Sequence, residues 1–129
     1  MDAWLSPDAA RTLTALLRTR PKDLPDGLLI GHSRGPRVYV ESVLPTQKGF
    51  FPSQSAFFDL SRALEDRVVG FYAFRMTEAK RKKILTPLGF GKLLLEVQRD
   101  ADDKVHFRAF MIDHEKDFFL SPMTLERLR

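Results

Sequence analysis

The sequence predicts a single mixed α/β domain, in which a curved mixed β-sheet is packed against two main helices. The 129 residues are enough to enclose one hydrophobic core and too few for two. Segments whose apolar residues have helical spacing alternate with segments typical of strands, as in mixed α/β folds. No internal repeat and no linker-like stretch divides the chain, so residues 1–129 are predicted to form one domain.

Two segments have the apolar spacing of amphipathic helices. The first begins at Ser6, which can cap a helix, and continues into Pro7, which fits the first helical position. It ends at Pro21, since proline cannot extend a helix. The second spans Ser53 to Asp66 and also has its apolar residues on one side. These are the two main helices of the predicted fold.

Several segments are rich in β-branched and aromatic residues and are predicted as strands: residues 27–32, 37–44, 67–74, 92–99 and 104–112. The last two of these form a hairpin around the acidic turn at residues 100–103. The polar and basic residues 75–83 are predicted as a loop. The tail from Phe118 to Arg129 is assigned a short edge strand and a final helical turn.

The composition excludes several classes of protein. The chain has 21 basic and 17 acidic residues, and its net charge of +4 is too small to be a signature of nucleic-acid binding. The lack of cysteine excludes disulfides, thiolate zinc sites and cysteine nucleophiles. No apolar run reaches the roughly 18 residues of a transmembrane helix, and the acidic start of the chain does not resemble a signal peptide. We predict a cytoplasmic domain that does not associate with membranes.

Residues 31–35 spell G-x-S-x-G, the pattern of a serine hydrolase nucleophile, with Ser33 at its centre. In such hydrolases a helix follows the serine, whereas residues 37–40 are patterned as another strand. The candidate bases are His32 and His114. Asp113 and His114 are neighbours that point to opposite faces of a strand, so they are not expected to converge on one serine. A hairpin turn with an incidental serine is favoured, and a serine hydrolase is kept as an alternative.

Several short phrases resemble the JAB/MPN superfamily, also called Mov34/JAMM. Residues 27–31, Gly-Leu-Leu-Ile-Gly, match the second half of the family's strand E-V-C-G-L-L-L-G. Residues 69–72, Val-Gly-Phe-Tyr, match the first four positions of its strand V-G-x-Y-H-S-H-P, and residues 93–97 and 107–110 resemble its closing hairpin. The matches are distributed over nearly the whole chain, and the resemblance implies a JAB/MPN-like fold.

Active members of that superfamily are zinc isopeptidases, and the resemblance implies that this chain is not one. The positions of the two zinc-binding histidines hold Ala73 and Arg75, and a guanidinium repels a metal ion. The position of the general-base glutamate holds Leu24, and it stays open whether Asp23 or Asp26 replaces it. The resemblance therefore implies a pseudoenzyme without metal, cofactor or catalytic residues.

The densest charge cluster is the basic run Lys80-Arg81-Lys82-Lys83. Together with exposed aromatic residues it is the best candidate for contacts with a partner. The predicted partner-binding residues are Phe50, Phe51, Arg75, Lys80, Arg81, Lys82 and Lys83. A solvated loop or helical turn without a binding role is the favoured interpretation of such a run, since runs of this length are common on soluble surfaces.

Inactive members of the superfamily act as scaffolds and heterodimer partners. The resemblance therefore implies a non-catalytic protein-interaction or assembly module, whose partner is an active homologue or a ubiquitin-like protein, in a homo- or heterodimer. The alternative is an accessory protein that binds nucleic acid or phosphate through the basic run Lys80–Lys83.

Overall fold

Seven strands and three helices make up the computed structural model, which describes residues 1–19, 26–46, 54–64 and 66–127. Their order along the chain is β1 (Asp2–Leu5), α1 (Pro7–Thr19), β2 (Gly27–Arg34), β3 (Arg37–Pro45), α2 (Gln54–Ala63), β4 (Val68–Ala73), α3 (Glu78–Ile84), β5 (Leu93–Arg99), β6 (Val105–His114) and β7 (Phe118–Arg127).

The strands close into a barrel in the order β1-β3-β2-β4-β5-β6-β7. The four-residue strand β1 closes it, because it pairs in parallel with β3 on one side and with β7 on the other. Most of the other neighbours are antiparallel, and β4 and β5 are parallel. Each of the seven strands therefore has a hydrogen-bonded neighbour on both sides.

The predicted architecture is wrong. The sequence predicts a curved mixed sheet with two main helices, and the structure is a closed seven-stranded barrel with three short helices. The physical reason is that the barrel is closed by the pairing of β1 with β7, two strands separated by more than a hundred residues in the sequence. The local periodicity of apolar residues carries no signal for a pairing between such distant segments. The prediction of a JAB/MPN-like fold, which followed from the resemblance, is wrong together with this architecture.

Helix α1 follows the prediction closely. It begins at Pro7, and the hydroxyl of Ser6 accepts a hydrogen bond from the amide of Ala9 at 3.0 Å. Its apolar stripe, which includes the buried Leu13 and Leu17, belongs to one core cluster with alternate residues of the strands. Burial of that stripe, rather than helix propensity alone, stabilises α1 in this position.

The opposite face of the strands forms a second core cluster beneath α2 and α3. Phe57 of α2 packs on Phe71 of β4, with ring centroids 5.9 Å apart, and Ile84 at the end of α3 is fully buried. Along β5, Leu94 belongs to this second cluster, whereas Leu93 and Leu95 belong to the first. Because side chains alternate along a strand, Glu96 is on the same face as Leu94.

The β5–β6 hairpin is confirmed, and the prediction for the tail is wrong. In the hairpin turn, the Asp100 carboxylate accepts hydrogen bonds from the amides of Asp102 and Lys104 at 2.8 and 2.9 Å. The tail forms the ten-residue strand β7 instead of a short edge strand with a helical turn. The residues of β7 are exposed or half-buried, so their pattern does not indicate a strand that pairs with β6 and with β1.

Candidate functional site

The basic run lies on α3 and not in a loop. Thr77 caps this helix, and its hydroxyl accepts a hydrogen bond from the amide of Lys80 at 3.2 Å. Glu78 in the first turn and the cations of the last turn suit the helix dipole. The run is therefore a short capped helix whose successive side chains point in different directions.

Lys80 has a structural role. Its ammonium lies 2.5 Å from the carboxylate of Asp26 and donates a hydrogen bond to the carbonyl of Arg75 at 2.7 Å. The side chain of Lys80 is only 26% exposed, and Asp26 is buried. In contrast, Arg75, Lys82 and Lys83 are exposed. The predicted basic patch is thus divided between a buried ion pair and a solvated surface.

Asp26 organises a polar cluster at the end of β4. Its carboxylate accepts a hydrogen bond from the amide of Phe74 at 3.2 Å, and its carbonyl accepts bonds from the amide and hydroxyl of Thr46 at 3.0 and 2.8 Å. The neighbouring Tyr72 is fully buried, and burial together with the negative charge of Asp26 raises the pKa of its phenol. We call Asp26, Thr46, Tyr72, Phe74 and Lys80 the Asp26 cluster. Because its carboxylate is paired with the ammonium of Lys80, Asp26 has a structural role in this cluster.

A pocket of about 440 Å³ lies beside α3 on the face of the second core cluster. We call it the α3–β7 pocket. Its lining residues come from α3 and the residue after it, β5, β6 and β7: Arg81, Leu85, Glu96, Arg108, Phe110, Phe118, Phe119 and Leu120. A cavity of this size is in the range that holds a small ligand or an anchoring side chain.

Strand register places the polar residues of the pocket next to its aromatic wall. Glu96 of β5 is directly opposite Arg108 of β6, and the next pair on that face is Leu94 opposite Phe110. The Arg108 guanidinium lies over the Phe110 ring, 5.4 Å from its centroid. Arg108 is therefore held along its own strand by a cation–π contact.

Glu96 is the unusual residue of this pocket. It is only 7% exposed, yet among residues 1–19, 26–46, 54–64 and 66–127 it makes neither a hydrogen bond nor an ion pair. The two arginines of the pocket have other contacts, since Arg81 pairs with Glu78 at 4.0 Å and Arg108 covers Phe110. The Glu96 carboxylate reaches the open volume of the pocket, so a ligand that supplies a hydrogen-bond donor can take the place of solvent there.

The G-x-S-x-G segment is not a nucleophile elbow. Ser33 is exposed near the end of β2, and Gly35, with a φ of +55°, forms the turn into β3. His32 bonds through Nδ1 to the Glu41 carboxylate at 2.5 Å and stacks on Tyr39. Glu41 also bonds to Arg67 at 2.9 Å, and the hydrogen bond from His32 is the largest cause of the lowered pKa of Glu41.

The other candidate base of the hydrolase alternative lies elsewhere. His114 lines a cavity with Pro87, Phe90 and Phe118, whereas Ser33 lines a different one. His114 packs on Phe118, with ring centroids 4.5 Å apart. The structure therefore does not bring Ser33 and His114 together as a catalytic pair.

Ser33 shares its cavity of about 330 Å³ with Lys92 and Asp66. Lys92 donates a hydrogen bond to the carbonyl of Val68 at 2.8 Å. Burial lowers the pKa of Lys92, against the opposing effect of Asp66. Lys92 thus holds the backbone of β4 rather than a hydroxyl nucleophile.

Several predicted residues lie outside the described part of the chain, namely Phe50, Phe51, Asp23 and Leu24. Of the predicted contact residues, Arg81 is the one that lines the α3–β7 pocket. Sequence reasoning missed Glu96 and Arg108. The signal for Glu96 was a single charge within the apolar segment Leu93–Val97, which predicts either a partner or a ligand for a buried carboxylate.

Two further observations concern cations and membranes. Over the described residues, no three histidine, aspartate or glutamate side chains gather as a metal site would require. The helices within those residues all lack the length and the apolar character needed to cross a lipid bilayer.

Comparisons with known proteins support the fold. No family model and no curated protein matches the chain. It is similar to the solution structure of protein DSY2949 from Desulfitobacterium hafniense, with 18% sequence identity, a TM-score of 0.65, and coverage of 98% of this chain and 94% of that one. At this identity the similarity shows a shared fold alone, and it provides no link to the JAB/MPN superfamily.

Proposed function

We propose that this chain is a non-catalytic protein-interaction module that binds a segment of its partner in the α3–β7 pocket. The observation that carries the proposal is a pocket in which two arginines, Arg81 and Arg108, adjoin an aromatic wall. Such sites suit a segment that combines an apolar anchor with acidic residues. The partner is therefore proposed from its chemistry, and not from the family resemblance.

The surroundings of the pocket support a protein partner. Phe119 of the pocket wall is 39% exposed, and Phe90, in the turn after α3, is 54% exposed. Large exposed aromatic side chains are typical of protein-binding surfaces. Lys82 and Lys83 add positive charge to α3 beside the pocket, which favours the approach of an acidic segment.

The closed barrel restricts how a partner can bind. A peptide often adds a strand to the free edge of a sheet. Here each of the strands β1 to β7 already has two hydrogen-bonded neighbours. Strand addition is left only to the parts of β3 and β7 that the four-residue β1 does not pair with, and the α3–β7 pocket offers recognition through side chains.

The absence of catalysis and a cytoplasmic location are parts of the same proposal. Glu41 and Tyr39 hold His32, and Ser33 and His114 line separate cavities. The chain has no cysteine, as suits a reducing compartment. A homodimer or heterodimer stays a prediction. Sedimentation of the purified chain tests the homodimer.

Selection from a displayed library of random peptides tests the proposal. The wild-type chain is expected to select peptides with an aromatic residue next to acidic residues. The double variant Arg81→Glu/Arg108→Glu is expected to bind the selected peptides at least about tenfold more weakly, because two attractive charges become repulsive.

The matched control is Lys82→Glu/Lys83→Glu, which makes the same change in net charge at exposed positions of α3 that do not line the pocket. It is expected to weaken binding by less than about threefold at physiological salt, where exposed charges are screened. Selected peptides that bind both double variants equally well, or a library that yields no binder, would overturn the proposal. Binding of RNA oligonucleotides that is lost in the control variant would instead support the nucleic-acid alternative.

A further inference from the structure

We propose that Glu96 selects the anchor of the partner segment, and that this anchor is a tryptophan whose indole N–H donates a hydrogen bond to the Glu96 carboxylate. The inference rests on the proposed function, because it names the residue that the α3–β7 pocket receives. It starts from Glu96 itself, which is 7% exposed and lacks a donor among the residues that the structure describes.

The charge of the pocket determines what kind of donor fits. Arg81 and Arg108 carry two positive charges against the single negative charge of Glu96, so the lining has a net charge of +1. A lysine or arginine anchor would bring a further positive charge close to two guanidinium groups. A neutral donor satisfies the carboxylate without this repulsion, and the charge of the lining is left for acidic residues that flank the anchor.

The walls of the pocket favour an aromatic donor, and tryptophan more than tyrosine. Phe110, Phe118 and Phe119 provide ring surfaces for stacked or edge-to-face contacts. Guanidinium groups interact most strongly with the indole ring among aromatic side chains. The indole nitrogen is only a donor, so it leaves no unsatisfied acceptor in the pocket, whereas a phenol oxygen would.

The volume of the pocket is consistent with this anchor. About 440 Å³ exceeds what a single indole needs, and the rest of the pocket can hold the backbone and one acidic side chain of the segment. Tryptophan is also one of the residue types enriched among those that dominate the binding energy of protein interfaces. A single tryptophan flanked by aspartate or glutamate is therefore the expected recognition element.

Four short peptides test the role of Glu96. They have the form Ac-Asp-X-Asp-NH2, where X is tryptophan, Nε1-methyltryptophan, phenylalanine or lysine, and their binding to the isotope-labelled chain is followed by NMR. The tryptophan peptide is expected to bind about tenfold more tightly than the methylated one, the size of one hydrogen bond to a charged group. The phenylalanine peptide is expected to behave like the methylated one, and the lysine peptide to bind most weakly.

The variant Glu96→Leu completes the test. Leucine suits the apolar neighbourhood of β5, so this variant is expected to fold, and it removes the acceptor. The ratio between the tryptophan and methyltryptophan peptides is expected to fall from about ten to about one, while both peptides still bind. A ratio that stays at ten would show a steric effect of the methyl group and would overturn the role of Glu96.

The outcomes separate this inference from the proposed function. Equal binding of the tryptophan and methyltryptophan peptides by the wild type, with binding still lost in Arg81→Glu/Arg108→Glu, overturns the role of Glu96 and leaves the interaction module standing. Tighter binding of the lysine peptide overturns the neutral anchor in the same way. If none of the four peptides shifts the resonances of the pocket residues, both proposals are overturned.

Discussion

Two buried carboxylates, Asp26 and Glu96, lie near residues of α3 and differ in their contacts. Asp26 is 4% exposed, and its charge is balanced by the ammonium of Lys80. Glu96 is 7% exposed and has no such partner among the described residues, although the neighbouring Arg81 lines the same pocket. Lys80 and Arg81 are consecutive residues of α3 with different roles. Lys80 neutralises the carboxylate of Asp26, and Arg81 lines the α3–β7 pocket.

This difference distinguishes a structural charge from one available to a ligand. At the Asp26 cluster, the carboxylate accepts a hydrogen bond from the amide of Phe74 and lies next to the ammonium of Lys80. At the α3–β7 pocket the carboxylate faces open volume. The first carboxylate is held by a counter-charge of the protein, so losing that partner is costly, whereas the second reaches the volume of the pocket and is open to a ligand.

The largest effect is expected from removing the ammonium next to Asp26. Lys80→Met leaves a buried carboxylate without its counter-charge and is expected to lower the free energy of unfolding by about 3 kcal/mol, the lower end of the range for buried pairs. The lower end applies because the Lys80 side chain keeps 26% of its exposure. Unfolding in urea measures the change.

The matched control for that experiment is Lys82→Met, at an exposed position of the same helix. It removes an equal charge and is expected to change the free energy of unfolding by less than about 0.5 kcal/mol. Similar losses in the two variants would show that the contact between Lys80 and Asp26 does not stabilise the fold.

An effect of opposite sign is expected at Glu96. Glu96→Leu places an apolar side chain at a position of β5 that is only 7% exposed, and it is expected to raise the free energy of unfolding by about 1 kcal/mol. Glu126→Leu, at an exposed position of β7, makes the same chemical change and is expected to have a much smaller effect. A loss of stability in Glu96→Leu would contradict the contrast between the two carboxylates.

The smallest effect is expected at an exposed carboxylate, Glu41. The hydrogen bond from His32 lowers its pKa below the ordinary 4.5, so folding favours the charged form. Its contribution is therefore complete above pH 4.5 and is lost as the pH falls through the lowered pKa. The contribution is expected to be less than about 1 kcal/mol, as is usual for exposed pairs.

Thermal unfolding of the wild type and Glu41→Gln between pH 7 and pH 2 measures this contribution. The wild type is expected to be slightly more stable at pH 7, and the two melting temperatures are expected to converge in acid. A difference that is constant over this pH range would show that the carboxylate charge of Glu41 is not its origin.

The local elements of the fold could be predicted because their signals are local. Ser6 caps α1, and Asp100 organises the turn between β5 and β6, as their positions in the sequence indicate. Helix α3 was predicted as a loop, with a helical turn as the alternative, because four consecutive cations resemble a solvated loop. The capping Thr77 and the buried Ile84 were the signals that it is a helix.

The barrel and the pocket could not be predicted in the same way, since both depend on contacts between distant segments. The parallel register of Leu5 with Val40 and with Arg127 leaves no trace in the spacing of either segment. Similarly, Arg81 was recognised as a candidate contact residue. Its neighbours in the pocket, Glu96 and Arg108, become neighbours only through the packing of α3 on β5 and β6.

The short strand β1 has a consequence for the co-translational folding of this chain. Residues 2–5 leave the ribosome more than a hundred residues ahead of residues 124–127, which are one of their two hydrogen-bonding partners. Closure of the barrel therefore has to wait until synthesis of β7 is finished. Until then, the nascent chain has one side of β1 uncovered, a template for pairing with other chains that chaperones would need to shield.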